Sequence, residues 1–202
     1  MENTFTLEDR KQIEADIGEK FRRVAISPDG RFKYPTGQAG LERQGYDAEI
    51  LKALPQEVLA SYCGVGNPLG PGAVGRGEFV LDIGCGAGVD TIIAAVMAGP
   101  EGGVVGIDFT AAMVARAKEN LKKTALENVS FREGSAEDLQ FPASHFDAVI
   151  SNGVFNLVID KMRALKEVYR VLKPGGRFMI ADQVLTTESP GDVAGMIRSW
   201  AG

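Results

Sequence analysis

Phe79-Val80-Leu81-Asp82-Ile83-Gly84-Cys85-Gly86-Ala87-Gly88-Val89-Asp90 is the stretch whose reading decides the fold. Positions 79–83 are apolar apart from one acid, too short a run for a helix and stopped by glycine, which reads as a buried parallel strand. Gly84, Gly86 and Gly88 stand at alternate positions, and Thr91-Ile92-Ile93-Ala94-Ala95-Val96-Met97 then opens a helix. A strand, a glycine turn and a helix N-terminus in that order build a nucleotide-type ligand site. Glycine allows φ > 0 and lets a ligand approach with no Cβ in the way. The dinucleotide fingerprint Gly-x-Gly-x-x-Gly/Ala needs a third small residue at position 89, which is Val, and this argues against a NAD(P) oxidoreductase. On its own, the turn also fits a plain strand-to-helix connection in any α/β protein.

What stands here instead is Asp82-x-Gly84-x-Gly86-x-Gly88, with an acid inside the strand end. This form resembles the glycine turn of class I S-adenosylmethionine (SAM) methyltransferases. The resemblance implies that SAM is the cofactor and that Asp82, Gly84, Cys85, Gly86 and Gly88 help to seat it. A second landmark is Val104-Val105-Gly106-Ile107-Asp108, another short apolar run ending in an acid. A carboxylate at the tip of a second strand can accept both hydroxyl hydrogens of a ribose. Asp108 could instead cap the helix expected over Ala111–Lys123, but Thr110 can do that, which leaves Asp108 for the ligand. Phe109 and Met113, close by, are assigned to the cofactor with it.

Length and composition bound the class. The 202 residues make one domain with an N-terminal appendage, 45% apolar and 24% charged, as in an ordinary globular chain. A net charge of −5 argues against a general nucleic-acid binder, which needs a basic face. No run of about 18 apolar residues is present, so no membrane partner is expected. Met1-Glu2-Asn3-Thr4 lacks the pattern of a signal peptide, and the expected compartment is the cytoplasm. Cys63 and Cys85 are too few for a disulfide framework, and His145 is the one histidine, so no metal site is expected.

In chain order, Thr6-Leu7-Glu8-Asp9 reads as a capped helix start, with Ile13, Ile17, Phe21 and Val24 on one face. Ser27-Pro28-Asp29-Gly30 stops it, and the turn-rich segment Arg31 to Gly45 reads as loop. Two short helices follow, Ala48–Leu54 and Pro55–Ser61, the second with Pro at a favoured start. Beyond the second strand come a third at Val129–Phe131 and a fourth at Ala148–Ser151. A helix over Asp160–Val171 is ended by Lys173-Pro174-Gly175-Gly176, and a fifth strand runs Arg177–Asp182. The alternation predicts a doubly wound parallel sheet of order 3-2-1-4-5. Ligands sit outside the carboxyl ends of such strands, which places Asn152 and Asn156 at the site mouth as the catalytic candidates, with Asn152 also assigned to the cofactor.

Tyr46-Asp47, Leu54-Pro55-x-x-Val58, Ser61-Tyr62 and Gly64-x-Gly66-Asn67-Pro68 together resemble the arsenite methyltransferases, a group close to the ubiquinone/menaquinone-biosynthesis methyltransferases. Leu172-Lys173-Pro174-Gly175-Gly176 before a strand is a further mark of the same class. The resemblance implies that residues 61–70 fold over the SAM site. It also implies that Ala136 and Glu137, in Gly134-Ser135-Ala136-Glu137-Asp138, reach the adenine, although a solvated acidic turn explains that segment equally well. Domains divide accordingly into residues 1–70, helices and lid loop, and 71–202, the SAM-binding part.

This chain departs from the family in two ways. The usual pattern binds arsenic(III) through cysteine thiolates, one inside the Gly-x-Gly-Asn-Pro loop and one after Ser-Asn at the end of the fourth strand. Here those positions hold Val65 and Gly153, and Cys63 lies two residues before Val65. In relatives the segment at Ser199-Trp200-Ala201-Gly202 runs on into a cysteine and then final strands. The expectation is a gene that reads past codon 202, an in-frame UGA specifying selenocysteine being one route. Strand five would then be an exposed edge in this chain, open to dimer formation.

Methyl transfer from a sulfonium is an in-line displacement needing alignment and a dry pocket. No histidine–carboxylate pair near the strand ends would serve as a base. The expected substrate is therefore a small methyl acceptor that is already electron-rich, lying between the Tyr62–Pro68 loop and Asn152–Asn156. The rival expectation is a non-catalytic relic that holds SAM or a partner without turnover.

Overall fold

The structure, a computed structural model, describes residues 5–70 and 72–184. The segment around Trp200 lies outside the described residues.

The sheet is built from β1 (Phe79–Ile83), β2 (Gly103–Asp108), β3 (Val129–Glu133), β4 (Phe146–Asn152) and β5 (Leu172–Ala181). Its order is β3-β2-β1-β4-β5 with every pairing parallel, as expected. Ile83 lies opposite Ile107 on β2 and Ser151 on β4, so three strands end at one level. That common edge, with a crossover to either side of β1, makes the crevice where a ligand fits.

Alternation along β1 builds two cores. Val80 packs with Ile92 and Ile93 of α5 (Val89–Ala98) and Val114 of α6 (Ala111–Leu121). Leu81 and Ile83 face the other way, onto Ala164 and Val168 of α7 (Lys161–Val171). The first core continues into the N-terminal half through Leu41 of α2 (Gly37–Arg43), Leu51 of α3 (Ala48–Ala53) and Val58 of α4 (Gln56–Leu59). These small helices thus share the main core.

α1 (Leu7–Ile26) starts as its sequence predicts. Thr6 accepts from the Asp9 amide at 3.1 Å and the Asp9 carboxylate accepts from the Thr6 amide at 2.9 Å, a reciprocal cap. Ile13, Ile17 and Val24 are buried, while Phe21 is only half-buried.

Four expectations are corrected. Residues 31–45 are not all loop, because α2 forms there behind two glycines that weaken any helical signal. Gly40 is needed for packing: a Cβ there would stand 2.5 Å from the Pro35 carbonyl oxygen. α5 starts at Val89 rather than Thr91, with Gly88 at φ +82° as its N-cap. β3 and β4 run longer than expected, to Glu133 and across Phe146–Asn152. β5 starts at Leu172, with Leu172 opposite Phe146 and Arg177 opposite Ala148, so residues 173–176 bulge out opposite Asp147. Lys173 grips both Asp147 oxygens at 2.8 Å and holds the bulge down.

Candidate functional site

The carboxyl ends of β1, β2 and β4, with α1 and the segments around Tyr34 and Cys63, enclose a cavity of about 420 Å³. That volume suits a small molecule. The glycine turn forms part of its wall. Gly84 (φ +72°) has no room for a side chain, since a Cβ would lie 2.2 Å from Val154 Cγ2. Gly86 (φ +52°) has open space beside it and is the position a ligand can approach.

Asp108 is not left free by Thr110 as the sequence suggested. The Thr110 side chain makes no cap bond, and the Thr110 amide instead donates to Asp108 Oδ1 at 2.8 Å. Asp108 Oδ2 accepts from the Gly86 amide at 2.9 Å, which stitches β2 to the glycine turn. Each oxygen keeps a lone pair for a further donor. Burial pushes this carboxyl above its usual range, and the two amides pull it back.

The candidates divide into two groups. Gly84, Cys85, Gly86, Asp108, Phe109, Ala136, Glu137, Asn152 and Asn156 all line the cavity. Asp82, Gly88 and Met113 do not line it. Asp82 is 2% exposed and accepts from Thr91 Oγ1 at 2.6 Å, which ties β1 to α5. Gly88 is the turn's close-packing point, since a Cβ would meet the Phe131 ring at 2.6 Å. Met113 is 1% exposed within the packed side of α6. Glu137 lines the cavity, but its carboxylate already accepts from the Asp160 amide at 2.9 Å and faces Arg10 of α1 at 3.6 Å.

Asn152 carries more than the sequence showed. Its Oδ1 accepts from the amides of Val65 (2.8 Å) and Gly66 (3.1 Å). Its Nδ2 donates to the Gly66 carbonyl at 2.8 Å and to Asp90 Oδ2 at 3.0 Å. Asp90 also takes the Tyr46 hydroxyl on Oδ1 at 2.6 Å. Tyr62 Oη reaches the Gly66 carbonyl at 2.8 Å, Gln44 Nε2 holds the Gly64 carbonyl at 3.2 Å, and Tyr34 Oη holds that of Cys63 at 3.0 Å. With Tyr46 Oη also 3.1 Å from the Gly66 carbonyl, residues 63–66 are a lid fastened backbone-first by side chains from five places. Gly64 permits the fit, because a Cβ there would sit 2.3 Å from Asn152 Nδ2. Asn152 is therefore a holder of the lid, and Asn156, whose amide donates to Asp182 at 3.1 Å, stands at the mouth nearby.

The floor favours a cation. Burial lifts Asp90 to about 6, against the bonds from Tyr46 and Asn152, and it raises Asp82 as well. A positive ligand beside Asp90 would offset the desolvation cost that raises it. The Cys63 thiol is pushed up to about 12, by burial and then by Asp108 and Asp90. Among the described residues, no cluster of three or more His, Cys, Asp or Glu could hold a metal. No helix among them is long and apolar enough to cross a membrane.

Sequence reasoning missed Asp90, Gln44, Tyr34 and the roles of Tyr46 and Tyr62. Asp90 stands in the decisive stretch, and a buried acid at a helix N-terminus beside a glycine turn was the available signal.

Residues 75–201 match the family model described as a methyltransferase domain. An arsenite methyltransferase of Halobacterium salinarum is 43% identical over 158 residues, covering 78% of this chain and 40% of that protein. A demethylmenaquinone methyltransferase of Listeria welshimeri is 41% identical over 109 residues, 54% of this chain and 46% of that protein. Among solved structures, an arsenic(III) S-adenosylmethionine methyltransferase from Chlamydomonas reinhardtii superposes with a TM-score of 0.64 at 36% identity, over 72% of this chain and 52% of that one. The chain spans less than half the length of the curated relatives it matches.

Proposed function

The chain belongs to the methyltransferase domain family, whose methyl donor is SAM, and from that premise we propose that it methylates a small, soft nucleophile. The observation that carries the reading is the Asp108 carboxylate closed onto the Gly86 amide in the cavity wall. The residues fit SAM. Asp108 has lone pairs left for two ribose hydroxyls, Gly86 leaves space for the amino-acid tail, and Asp90 offers a negative charge to a cationic ligand. When bound, SAM would supply an electrophilic methyl group on its sulfonium. The chain would align the acceptor and keep water out, with Asn152 and Tyr62 fixing the lid in place.

Two relatives are named for arsenite, but the geometry supports a different acceptor. Val65 and Gly153, where the family pattern has cysteines, face each other: a Cβ on Gly153 would lie 3.2 Å from Val65 Cγ1. Thiols at these two places would converge on one soft centre, and here they are an isopropyl group and a hydrogen. Cys63 does not restore the pair, because a thiol held near 12 stays protonated at neutral pH. The soft atom must then come with the acceptor, as a thiolate or a stabilised carbanion would bring it. Incubating the 202-residue chain with methyl-labelled SAM and a set of small thiols tests this. Label in a thioether product, with stoichiometric S-adenosylhomocysteine, is expected. Label transferred to arsenite but to none of the thiols overturns it. SAM binding with no transfer to any acceptor would favour the relic.

A further inference from the structure

The cavity is electrically two-sided. Asp108 faces it from the end of β2 and Asp90 from the first turn of α5, while Arg31 and Lys33 line it from the segment between α1 and α2. Neither Arg31 nor Lys33 has an ion-pair partner among the described residues. Arg31 is steadied by its Nε, which donates to the Ser27 carbonyl at 3.0 Å. Lys20 of α1 adds a third cation, 5.8 Å from the centre of the Phe32 ring. Phe32 in turn packs against Tyr34, with ring centres 5.1 Å apart, and Tyr34 is bonded to the lid at Cys63. The acid on this wall is Glu14, since Glu137 is engaged by Arg10 and the Asp160 amide. A smaller adjoining cavity of about 310 Å³ shares Lys33, Tyr34 and Val65 and adds Arg43.

We propose that this basic, aromatic wall is the acceptor subsite, and that it selects a methyl acceptor carrying an anionic group on an aromatic or apolar body. The proposal rests on the methyltransferase reading and deepens it. A cationic donor is drawn to the acidic side and an anionic acceptor to the basic side, which brings the two together across the cavity. In the step itself a lone pair of the acceptor thiolate forms the new sulfur–carbon bond. The bond from methyl carbon to the donor sulfonium breaks, and its electron pair stays on the donor sulfur. Both sulfurs end neutral and no proton has to be removed, which agrees with the missing base. The donor loses its positive charge, which loosens it from the acidic side, while the acceptor's anionic group stays against the basic wall.

Paired acceptors of matched reactivity test the subsite: 4-mercaptobenzoate against 4-mercaptobenzamide, with SAM and the full chain. The carboxylate is expected to win by about tenfold in kcat/KM, the size of one charge-assisted contact. The preference should shrink as salt rises. Arg31→Ala/Lys33→Ala should erase it through KM, and Arg31→Glu/Lys33→Glu should reverse it, both at exposed positions where folding is not at stake. Equal use of the two thiols by the wild type overturns the subsite while leaving the methyltransferase reading intact. If neither thiol is methylated, saturation-transfer NMR with 4-methylthiobenzoate in the presence of S-adenosylhomocysteine decides. Binding that the double variants abolish upholds the anion subsite although the transfer reading has failed; no binding ends the proposal.

Discussion

At the scale of single residues, the site rests on Asp108 and Asn152, which do different work. Asp108 has already spent one lone pair of each oxygen on backbone, so its alanine variant loses the turn's anchor together with the ribose contact proposed for it. Calorimetric titration of Asp108→Ala with S-adenosylhomocysteine should show affinity lower by about 1.5–3 kcal/mol, the worth of a charge-assisted bond; wild-type affinity would remove it from the site. Asn152→Ala leaves the Val65 and Gly66 amides and one Asp90 oxygen short of a partner. Turnover should fall and the Val65 and Gly66 amides should lose hydrogen-exchange protection, while cofactor affinity stays within a few fold. An equal loss of cofactor affinity would reassign Asn152 to the cofactor. None of the Asn152 bonding was legible beforehand, because its partners lie 62 to 106 residues away in sequence. Asp82 holds a conspicuous motif position, but that its carboxylate is buried and takes the Thr91 hydroxyl is visible only in the structure.

Among the elements, α5 couples cofactor turn and lid, because its Asp90 meets Tyr46 and Asn152. Burial holds this carboxyl at about 6, above its ordinary 3.8. Between those values the folded chain keeps a proton that the unfolded chain has lost, so the group's contribution to stability declines as pH rises through the window. Asp82 and Asp108, also raised by burial, act with the same sign. Glu78 and Glu167, held low by hydrogen bonds from Arg177 and Arg170, act with the opposite sign and at lower pH. The melting temperature of wild type minus that of Asp90→Asn should therefore fall from pH 4 to pH 6. A difference that stays level would contradict the burial of a charged Asp90. α2 shows why an element can hide: Gly37 and Gly40 lower its propensity, and tertiary contacts made it anyway, with the Gly37 amide on the Tyr62 carbonyl at 2.7 Å. The β5 bulge hid because Pro174 and Gly175 mark a turn in sequence while the Lys173–Asp147 pair keeps Leu172 in register.

For the molecule as a whole, the sheet order was legible because every strand but the last is an apolar run closed by a turn signal, and parallel crossovers leave few topologies. The cavity's far wall was not. It comes from α1 and residues 31–34, far in sequence from the glycine turn and carrying no motif. The resulting account is of a basic, aromatic wall and a pinned lid facing an acidic, glycine-lined floor, a shape that fits a cationic nucleotide-like donor. Calorimetric titration of the 202-residue chain with S-adenosylhomocysteine, and in parallel with NAD⁺, tests that claim most directly. The account predicts saturable one-to-one binding of S-adenosylhomocysteine in the micromolar range and no heat from NAD⁺. Tight binding of NAD⁺ with none of S-adenosylhomocysteine would contradict it.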